Sequence, residues 1–159
     1  MKVCDVMAKQ VAFCRPEMNL AQAVELMWKN ACGFLPVAGE GGNVIGVITD
    51  RDISIALGTR DRRASEVCVR SVMSPRLFTC TPDDDVHTAL KTLKSEGIRR
   101  LPVIDREGML MGVLSIDDVI LNARVDAVKK DISYADIENT YRVILLHSSL
   151  DKNREHMAA

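Results

Sequence analysis

The sequence predicts a mixed α/β (α+β) protein made of two copies of one β-α-β-β-α unit, followed by a C-terminal helix. The main observation is that the chain of 159 residues aligns with itself, without a gap, when it is shifted by 66 positions. The segments that recur at this distance include Val6-Met7 and Val72-Met73, Leu35-Pro36-Val37 and Leu101-Pro102-Val103, and Gly46-Val47 and Gly112-Val113. Tandem copies of one unit predict a pseudo-twofold module whose functional surface lies between the copies.

Each copy begins with an extended segment and continues into an amphipathic helix. The extended segments, residues 11–14 and 77–80, run towards a proline, and Asn19 and Asp85 then have the side chains expected of helix N-caps. Apolar residues at helical spacing predict the buried helix faces, which are Leu20, Ala23, Val24, Met27 and Ala31 in the first copy and Val86, Ala89, Leu90 and Leu93 in the second.

A β-hairpin and a second helix complete each predicted copy. Two apolar strands are joined by a short turn, which contains Gly42 in the first copy and Gly108 in the second. The predicted strands are residues 34–38 and 44–49, then 101–104 and 109–115. The second helices are predicted at residues 51–57 and 117–130.

One more amphipathic helix is predicted beyond the second copy, and it must cover either its own domain or another subunit. Its apolar residues at helical spacing are Tyr134, Ile137, Tyr141, Ile144 and Leu145. The predicted organisation is therefore repeat 1 at residues 1–58, a polar linker at 59–68, repeat 2 at 69–130, the C-terminal helix at 131–150 and a frayed polar tail at 151–159.

Composition limits the classes of partner. The chain has 47% hydrophobic and 27% charged residues, and 21 Lys and Arg against 22 Asp and Glu leave a net charge of −1. This balance supplies no general positive field for nucleic acid or an acidic membrane surface. No apolar run reaches the roughly 20 residues of a membrane span. We therefore expect a cytoplasmic protein that binds neither nucleic acid nor membrane.

Few residues favour metal binding or catalysis. The five cysteines form no C-x-x-C motif and are interpreted as reduced thiols, with the repeat equivalents Cys14 and Cys80 in the core. His87 and His147 have no accompanying His-carboxylate spacing, nucleophile elbow or Walker P-loop. The sequence thus predicts no metal site, no catalytic cofactor and no enzyme activity.

Each copy carries the pattern G-h-h-[ST]-x-x-D, where h is hydrophobic, at the junction between its last strand and its second helix. The glycine lets a backbone approach closely, the hydroxyl and the helix N-terminus offer donors to an anion, and the Asp can accept two hydrogen bonds from a vicinal diol. A ribose phosphate has these groups. In the alternative interpretation the hydroxyl is a helix N-cap and the Asp a favourable first-turn acid. The residues concerned are Thr49 and Asp52 in the first copy and Ser115 and Asp118 in the second.

Together these features resemble the cystathionine beta-synthase (CBS) domain pair, also called a Bateman module, over residues 3 to about 125. The resemblance rests on the proline-terminated first segment, the Leu-Pro-Val strand and the G-h-h-[ST]-x-x-D junction, repeated in the same order at constant offset. It implies that the two repeats pack through their sheets and form two pseudo-twofold-related clefts for adenosine-containing ligands. It also implies a flat homodimeric disc and a regulatory role rather than a catalytic one.

By this resemblance, the first cleft joins a ribose-binding pair from one repeat to a basic pair from the other. Two guanidiniums that face a phosphate make strong charge-assisted hydrogen bonds, although such a pair can also be a solvated start of a strand. The implied residues are Thr49 and Asp52 for ribose, Val47 and Phe78 for the base, and Arg99 and Arg100 for phosphate. Asp117 stands where a cation can help to hold phosphate in similar adenylate sensors, so a longer phosphate chain would be repelled.

The second cleft has the weaker expected affinity for an anion. The repeat equivalents of the arginine pair are Gly33 and Phe34, which leaves Arg51 as the obvious cation. The implied residues are Ser115 and Asp118 for ribose, Val113 and Ala12 for the base, and Arg51 for phosphate. We therefore expect the first cleft to favour a charged phosphate and the second a weaker or less charged adenosine compound.

The function implied by the resemblance is a sensor of energy or metabolite state. An adenine nucleotide (AMP, ADP or ATP) between the repeats would shift their orientation, or the dimer geometry, for an unknown effector protein. NAD and S-adenosylmethionine carry the same adenosine and stay open as ligands. The alternative is an interaction scaffold whose clefts bind nothing. The C-terminal helix either reads the ligand-dependent change or packs on its own domain.

Overall fold

The computed structural model of the protein describes residues 1–122 and 132–156 and divides the chain into two compact units. Unit 1 consists of Met1–Lys9, Phe78–Val103 and Met111–Ala159. Unit 2 consists of Gln10–Leu77 and Ile104–Leu110. Each unit therefore combines the body of one sequence repeat with a short segment of the other. No helix of the described residues is both long and apolar enough to cross a membrane.

Unit 2 contains two α-helices and one two-stranded antiparallel sheet. Its elements are α1 (Leu20–Lys29), β1 (Phe34–Ala38), β2 (Val44–Thr49) and α2 (Asp50–Arg60). The strand bounds agree with those predicted, and Leu35 lies opposite Ile48 in the sheet. Both of these side chains are fully buried, so the sheet contributes directly to the core of the unit.

Helix α1 begins at the predicted cap and buries most of its predicted face. The Asn19 side chain accepts a hydrogen bond from the Gln22 amide at 2.9 Å, and the Gln22 side chain accepts one from the Asn19 amide at 3.0 Å. The prediction was wrong for Val24, which is 44% exposed, and for Ala31, which is exposed beyond the helix end with a left-handed φ of 48°. The buried residues of α1 are Leu20, Ala23 and Met27.

Unit 1 has the same order of elements, with one helix added. Its elements are α3 (Val86–Glu96), β3 (Arg100–Ile104), β4 (Leu110–Ser115), α4 (Ile116–Asn122) and α5 (Tyr134–His156), except that Ile104 and Leu110, at the turn end of the two strands, are counted with unit 2. Strands β3 and β4 pair with each other, and all four residues predicted for the buried face of α3 are buried. The predicted continuation of α4 to residue 130 lies outside the described residues.

Helix α5 packs against α3 and α4 within unit 1. Ile137 is 5% exposed and Ile144 is fully buried, which means that the C-terminal helix covers its own domain. Tyr134 and Leu145 do not follow the predicted pattern, since they are 53% and 44% exposed. The helix also continues to His156, past the predicted end at residue 150.

Both hairpin turns use a glycine in the left-handed region, as their sequences predict. Gly42 has a φ of 83° and Gly108 a φ of 82°, values that residues with a Cβ rarely adopt. Within unit 2 the Val44 amide donates to the Gly108 carbonyl at 2.9 Å. The tips of the two hairpins are therefore hydrogen-bonded to each other.

The predicted first strands, residues 11–14 and 77–80, are reduced to single parallel bridges. The Cys14 amide donates to the carbonyl of Pro36 at 3.0 Å, and the Cys14 carbonyl accepts from the Ala38 amide at 2.9 Å. The next bonds of a parallel ladder would need amide hydrogens on Pro16 and Pro36, which proline lacks. The same pair of prolines, at positions 82 and 102, limits the bridge at Cys80. The chain before each bridge instead forms a short 3₁₀ turn, at Val3–Asp5 and Val69–Ser71.

Candidate functional site

The Thr49–Asp52 motif forms a reciprocal cap at the start of α2. The Thr49 hydroxyl donates to Asp52 Oδ2 at 2.7 Å and accepts from the Asp52 amide at 3.2 Å. The Thr49 amide also donates to Asp52 Oδ2, at 2.9 Å. Both residues are half-buried. These bonds satisfy backbone groups that the helix terminus would otherwise leave without partners.

The Ser115–Asp118 motif repeats this geometry at the start of α4. The Ser115 hydroxyl donates to Asp118 Oδ2 at 2.6 Å and accepts from the Asp118 amide at 3.1 Å. The Ser115 amide donates to the same Oδ2 at 2.9 Å. Duplication has therefore preserved the hydrogen-bond pattern as well as the residue types.

The helix-cap interpretation of the motif is confirmed, and it leaves half of each carboxylate available. The same bonds join Ser133 and Asp136 at the start of α5, where no ligand site is predicted, so this geometry is not specific to binding. In Asp52 and Asp118, however, only Oδ2 is used, and Oδ1 has no hydrogen-bond partner among residues 1–122 and 132–156. A ligand hydroxyl could bond to Oδ1 without breaking the cap.

The motif glycines are required by the chain itself. A Cβ placed on Gly46 would lie 2.7 Å from the carbonyl oxygen of Ser74, and one placed on Gly112 would overlap the carbonyl oxygen of Ala8. Ser74 exchanges two backbone hydrogen bonds with Val47, of 3.2 and 2.9 Å. Close backbone approach at these glycines was expected from the motif. The approaching backbone belongs to segments of the chain itself, so the glycines give no independent sign of a ligand.

The basic pair lies at the start of β3 in unit 1. Arg99 is exposed and Arg100 half-buried, and the Arg99 carbonyl accepts from the Ile116 amide at 3.0 Å. The Arg99 guanidinium carbon lies 5.6 Å from the ring centroid of Tyr141 on α5, within the range of a cation–π contact. Neither arginine has a carboxylate partner among the described residues, so both charges are available to an anion.

The equivalent position in unit 2 is occupied differently. The Gly33 carbonyl accepts from the Asp50 amide at 3.2 Å, as the Arg99 carbonyl does from Ile116. A Cβ on Gly33 would lie 2.5 Å from Asp50 Oδ2, so the Asp50 carboxylate fills the space that a side chain at residue 33 would need. Unit 2 therefore has a negative group where unit 1 has an arginine.

The two units divide the predicted site residues between them. Unit 2 holds Ala12, Val47, Thr49, Arg51 and Asp52, and unit 1 holds Phe78, Arg99, Arg100, Val113, Ser115 and Asp118. Arg51 is exposed, Ala12, Val47 and Phe78 are half-buried, and Val113 is buried. Within unit 2 the structure brings Thr49 and Asp52 together, and within unit 1 it brings Ser115 and Asp118 together. Each predicted cleft draws its residues from both units.

One His-carboxylate pair is not evident from the sequence. His87 Nδ1 lies 3.0 Å from Asp85 Oδ1, and His87 Nε2 lies 3.9 Å from Asp136 Oδ2. The backbone amide of His87 in particular lowers the pKa of Asp85, and the Ser133 hydroxyl lowers the pKa of Asp136. Because each imidazole nitrogen faces a carboxylate, this geometry joins the beginnings of α3 and α5 and offers no nucleophile.

The buried thiols are unreactive, and the described residues offer no cluster for a metal. Burial raises the pKa of both Cys14 and Cys80 to about 12, which keeps them protonated at neutral pH. No group of three His, Cys, Asp or Glu side chains with a geometry suited to a metal ion occurs in residues 1–122 and 132–156.

Comparison with known sequences reveals the family. The CBS domain model matches residues 3–58 and 69–124. An uncharacterized protein of Methanopyrus kandleri is 34% identical over 101 residues, which are 62% of this chain and 52% of that protein. The homoserine O-acetyltransferase of Methanococcoides burtonii is 31% identical over 74% of this chain, but the match covers only 23% of that protein. The chain thus spans about half or less of the length of these relatives.

Solved structures have the same fold. A conserved CBS domain protein of Thermoplasma acidophilum has a TM-score of 0.74 at 25% identity, over 92% of this chain and 75% of that one. The protein CBSX2, in complex with AMP, has a TM-score of 0.65 at 25% identity, over 76% of this chain and 93% of that one. With two matched domains and this shared architecture, the chain belongs to the CBS domain family and carries its domains as a tandem pair.

Proposed function

We propose that this chain is a regulatory module that binds adenine nucleotides through its two repeat-related Thr/Ser–Asp motifs. The observation that carries this proposal is the available Oδ1 atom of Asp52 and of Asp118, each held next to a helix N-terminus by an intact cap. A carboxylate oxygen in this position suits a ribose hydroxyl, and the helix N-terminus suits a phosphate. The AMP complex of the similar protein CBSX2 supports the same ligand class.

The first proposed site combines Thr49 and Asp52 with the basic pair. Arg99 and Arg100 supply two positive charges that no described carboxylate neutralises. Val47 and Phe78, both half-buried, provide apolar surface for the base. Asp117 is exposed and disfavours a long phosphate chain, so AMP and ADP fit this site better than ATP.

The second proposed site combines Ser115 and Asp118 with Arg51. Val113 and Ala12 would contact the base. Asp50 lies where the arginine pair would have its counterpart, so the local charge favours an adenosine compound with little negative charge. The two sites therefore differ in preferred ligand.

The regulatory part of the proposal follows from linkage. A ligand shifts a conformational equilibrium only by its difference in affinity for the two states, and an effector protein must then recognise that difference. We expect the module to act as a homodimer, as the family resemblance implies, and sedimentation velocity with and without AMP measures this directly.

The similarity to homoserine O-acetyltransferase covers too little of that enzyme to transfer its activity.

Calorimetric titration tests the proposed function. Wild-type protein, Asp52→Ala and Asp118→Ala are titrated with AMP, ADP, ATP, NAD and S-adenosylmethionine in reducing buffer at fixed salt. We expect saturable binding to the wild type. In each variant, the nucleotide affinity of one site should fall about 10-fold to 100-fold, as is typical for removal of a charged hydrogen-bond partner.

Asn19→Ala is the matched control, because it removes a reciprocal helix cap of unit 2 that contributes to neither proposed site. It should lower stability and leave nucleotide affinity unchanged. Equal loss of affinity in Asn19→Ala and Asp52→Ala would assign the effect to helix stability. Absence of binding to any of the five compounds would contradict the proposal.

An interaction scaffold is the second candidate function. The Ser133–Asp136 cap favours it, because this S-x-x-D segment makes the same hydrogen bonds outside either proposed site, so the cap geometry does not require a ligand. A scaffold would show no ligand-induced increase in melting temperature at millimolar nucleotide.

A further inference from the structure

We propose that Tyr141 of α5 positions Arg99 for phosphate binding and thereby couples α5 to nucleotide occupancy. This inference rests on the proposed nucleotide site and adds a regulatory element to it. Residue 141 lies outside both segments that match the CBS domain, the second of which ends at residue 124. The contact between Arg99 and Tyr141 thus connects the proposed phosphate ligand to a helix that the repeats do not contain.

The Tyr141 ring is held in place by the packing of α5. Ile137 and Ile144 stand four residues before and three residues after it, and both are buried in the core of unit 1. Tyr141 is half-buried against the same core. Because residues at this spacing share one helix face, the ring lies on the face of α5 that packs against the core.

A cation–π contact with the ring leaves the arginine able to bind an anion. The guanidinium is planar, and a cation–π contact uses its face, whereas its N–H donors lie along its edge. Arg99 can therefore stay over Tyr141 while its edge bonds to a phosphate oxygen. An exposed arginine without such support would lose more side-chain freedom on binding, so the ring preorganises this one.

Coupling between two equilibria is reciprocal. If docking of α5 through Tyr141 strengthens the binding of AMP by some factor, AMP must strengthen the docking of α5 by the same factor. Nucleotide occupancy would then be transmitted to α5 without a change in its fold. Adenosine has no phosphate to bond Arg99 and should leave α5 unaffected.

A set of substitutions at residues 99 and 141 tests the proposal. Tyr141→Leu keeps apolar volume but removes the aromatic face, and Tyr141→Phe keeps the face. We expect Tyr141→Leu to weaken AMP about threefold to tenfold, in keeping with the size of cation–π and side-chain ordering effects. Tyr141→Phe should bind AMP as the wild type does, and adenosine affinity should be the same in all variants.

The matched control is Tyr134→Leu, because this tyrosine lies on the same helix and is 53% exposed. It should bind AMP with wild-type affinity. Arg99→Gln removes the exposed arginine of the Arg99–Tyr141 contact. It therefore tests the contact without disturbing the packing of residue 141. The double variant Arg99→Gln/Tyr141→Leu should bind AMP no more weakly than Arg99→Gln alone, since Tyr141 acts only through Arg99.

Hydrogen exchange measures the reciprocal effect. AMP should slow amide exchange in residues 134–144 of the wild type about threefold to tenfold, the same factor by which Tyr141→Leu weakens AMP. The slowing should be absent when AMP is added to Tyr141→Leu, and absent when adenosine replaces AMP in the wild type.

Three results would overturn the proposal, and they can be told apart. If AMP binds equally to wild type and Tyr141→Leu, while Asp52→Ala abolishes binding, the coupling fails and the nucleotide site stands. Equal weakening of AMP and adenosine in Tyr141→Leu would reveal a general structural effect instead of positioning. If wild-type protein binds no nucleotide, the proposed function fails and the coupling fails with it.

Discussion

Helices α1 and α3 occupy equivalent places in the two repeats, yet their outer faces differ. On α1, Val24 is 44% and Trp28 85% exposed. On α3, the equivalent of Val24 is Leu90, which is 4% exposed, and the equivalent of Trp28 is Lys94, whose ammonium lies 3.3 Å from Asn139 Oδ1 on α5. The cause is α5, which packs against α3 in unit 1.

The two repeats therefore resemble each other more closely in local structure than in their surfaces. The caps at Thr49 and Ser115 have the same hydrogen bonds, because they depend on four consecutive residues. The outer helix faces differ because they depend on an element that only one unit has. The proposed phosphate-binding positions differ for a separate reason, which is that Arg99 faces Tyr141 whereas its equivalent, Gly33, faces Asp50.

Substitutions on the face of α3 that α5 covers should reduce stability most. Leu90→Ala should lower the free energy of unfolding by about 2–5 kcal/mol, because it leaves a cavity in the buried cluster that includes Ile137 and Ile144. Val24→Ala, the matched change on the exposed face, should cost about 0.5 kcal/mol or less. Urea unfolding of both variants at one protein concentration measures the difference. Similar losses in the two variants would mean that Val24 is buried in solution and that the outer faces of α1 and α3 do not differ in burial.

Removal of the equivalent helix caps should lower stability by the same amount in both repeats. Thr49→Ala and Ser115→Ala each remove one helix cap with the same bonds, so each should cost about 1 kcal/mol. Ser133→Ala, at the start of α5, should behave in the same way. The measurement is again urea unfolding, and a cost at one repeat several times that at the other would refute structural equivalence of the motifs.

Alkaline pH should reduce stability to the same extent through each of the two repeat-equivalent buried thiols. Burial raises the pKa of Cys14 and Cys80 from 9.0 to about 12, so the folded thiols stay protonated where those of the unfolded chain have ionised. Stability is therefore complete below about pH 9 and falls as pH rises towards 12, by about 1 kcal/mol per thiol at pH 10.

The variants Cys14→Ala and Cys80→Ala make this contribution measurable. Between pH 7 and pH 10, the free energy of unfolding of each variant should fall by about 1 kcal/mol less than that of the wild type. The comparison of two pH values within one variant cancels the cost of the smaller side chain. A reduced loss in only one of the two variants would show that the cores around the two bridges are not equivalent.

The sequence predicted the features that depend on neighbouring residues. The hairpin glycines, the Asn19 cap and the buried face of α3 follow from turn chemistry, capping and periodicity, and the structure agrees with each. The prediction that Val24 is buried was wrong, because its burial depends on whether another helix packs over it. The sequence of α1 alone carries no information about that. The failure of the first strands to extend was readable in principle from Pro16 and Pro36, since both amide hydrogens needed by the ladder are missing.

The candidate site was predictable to a smaller extent. The duplicated motif identified Asp52 and Asp118, and the structure adds that one oxygen of each carboxylate is occupied by the cap. The contact between Arg99 and Tyr141 joins residues far apart in the chain, and no local pattern indicates it. The negative counterpart at Asp50 was also missed, because its position is meaningful only beside Gly33.

The most direct test of the asymmetry between the repeats is whether phosphate recognition belongs to the first site. Calorimetry would compare AMP with adenosine in Asp118→Ala, which retains the first site, and in Asp52→Ala, which retains the second. We expect Asp118→Ala to prefer AMP by about 10-fold or more, as is typical of charge-assisted hydrogen bonds to phosphate, and Asp52→Ala to show a clearly smaller preference. An equal preference for AMP in both variants would contradict the asymmetry.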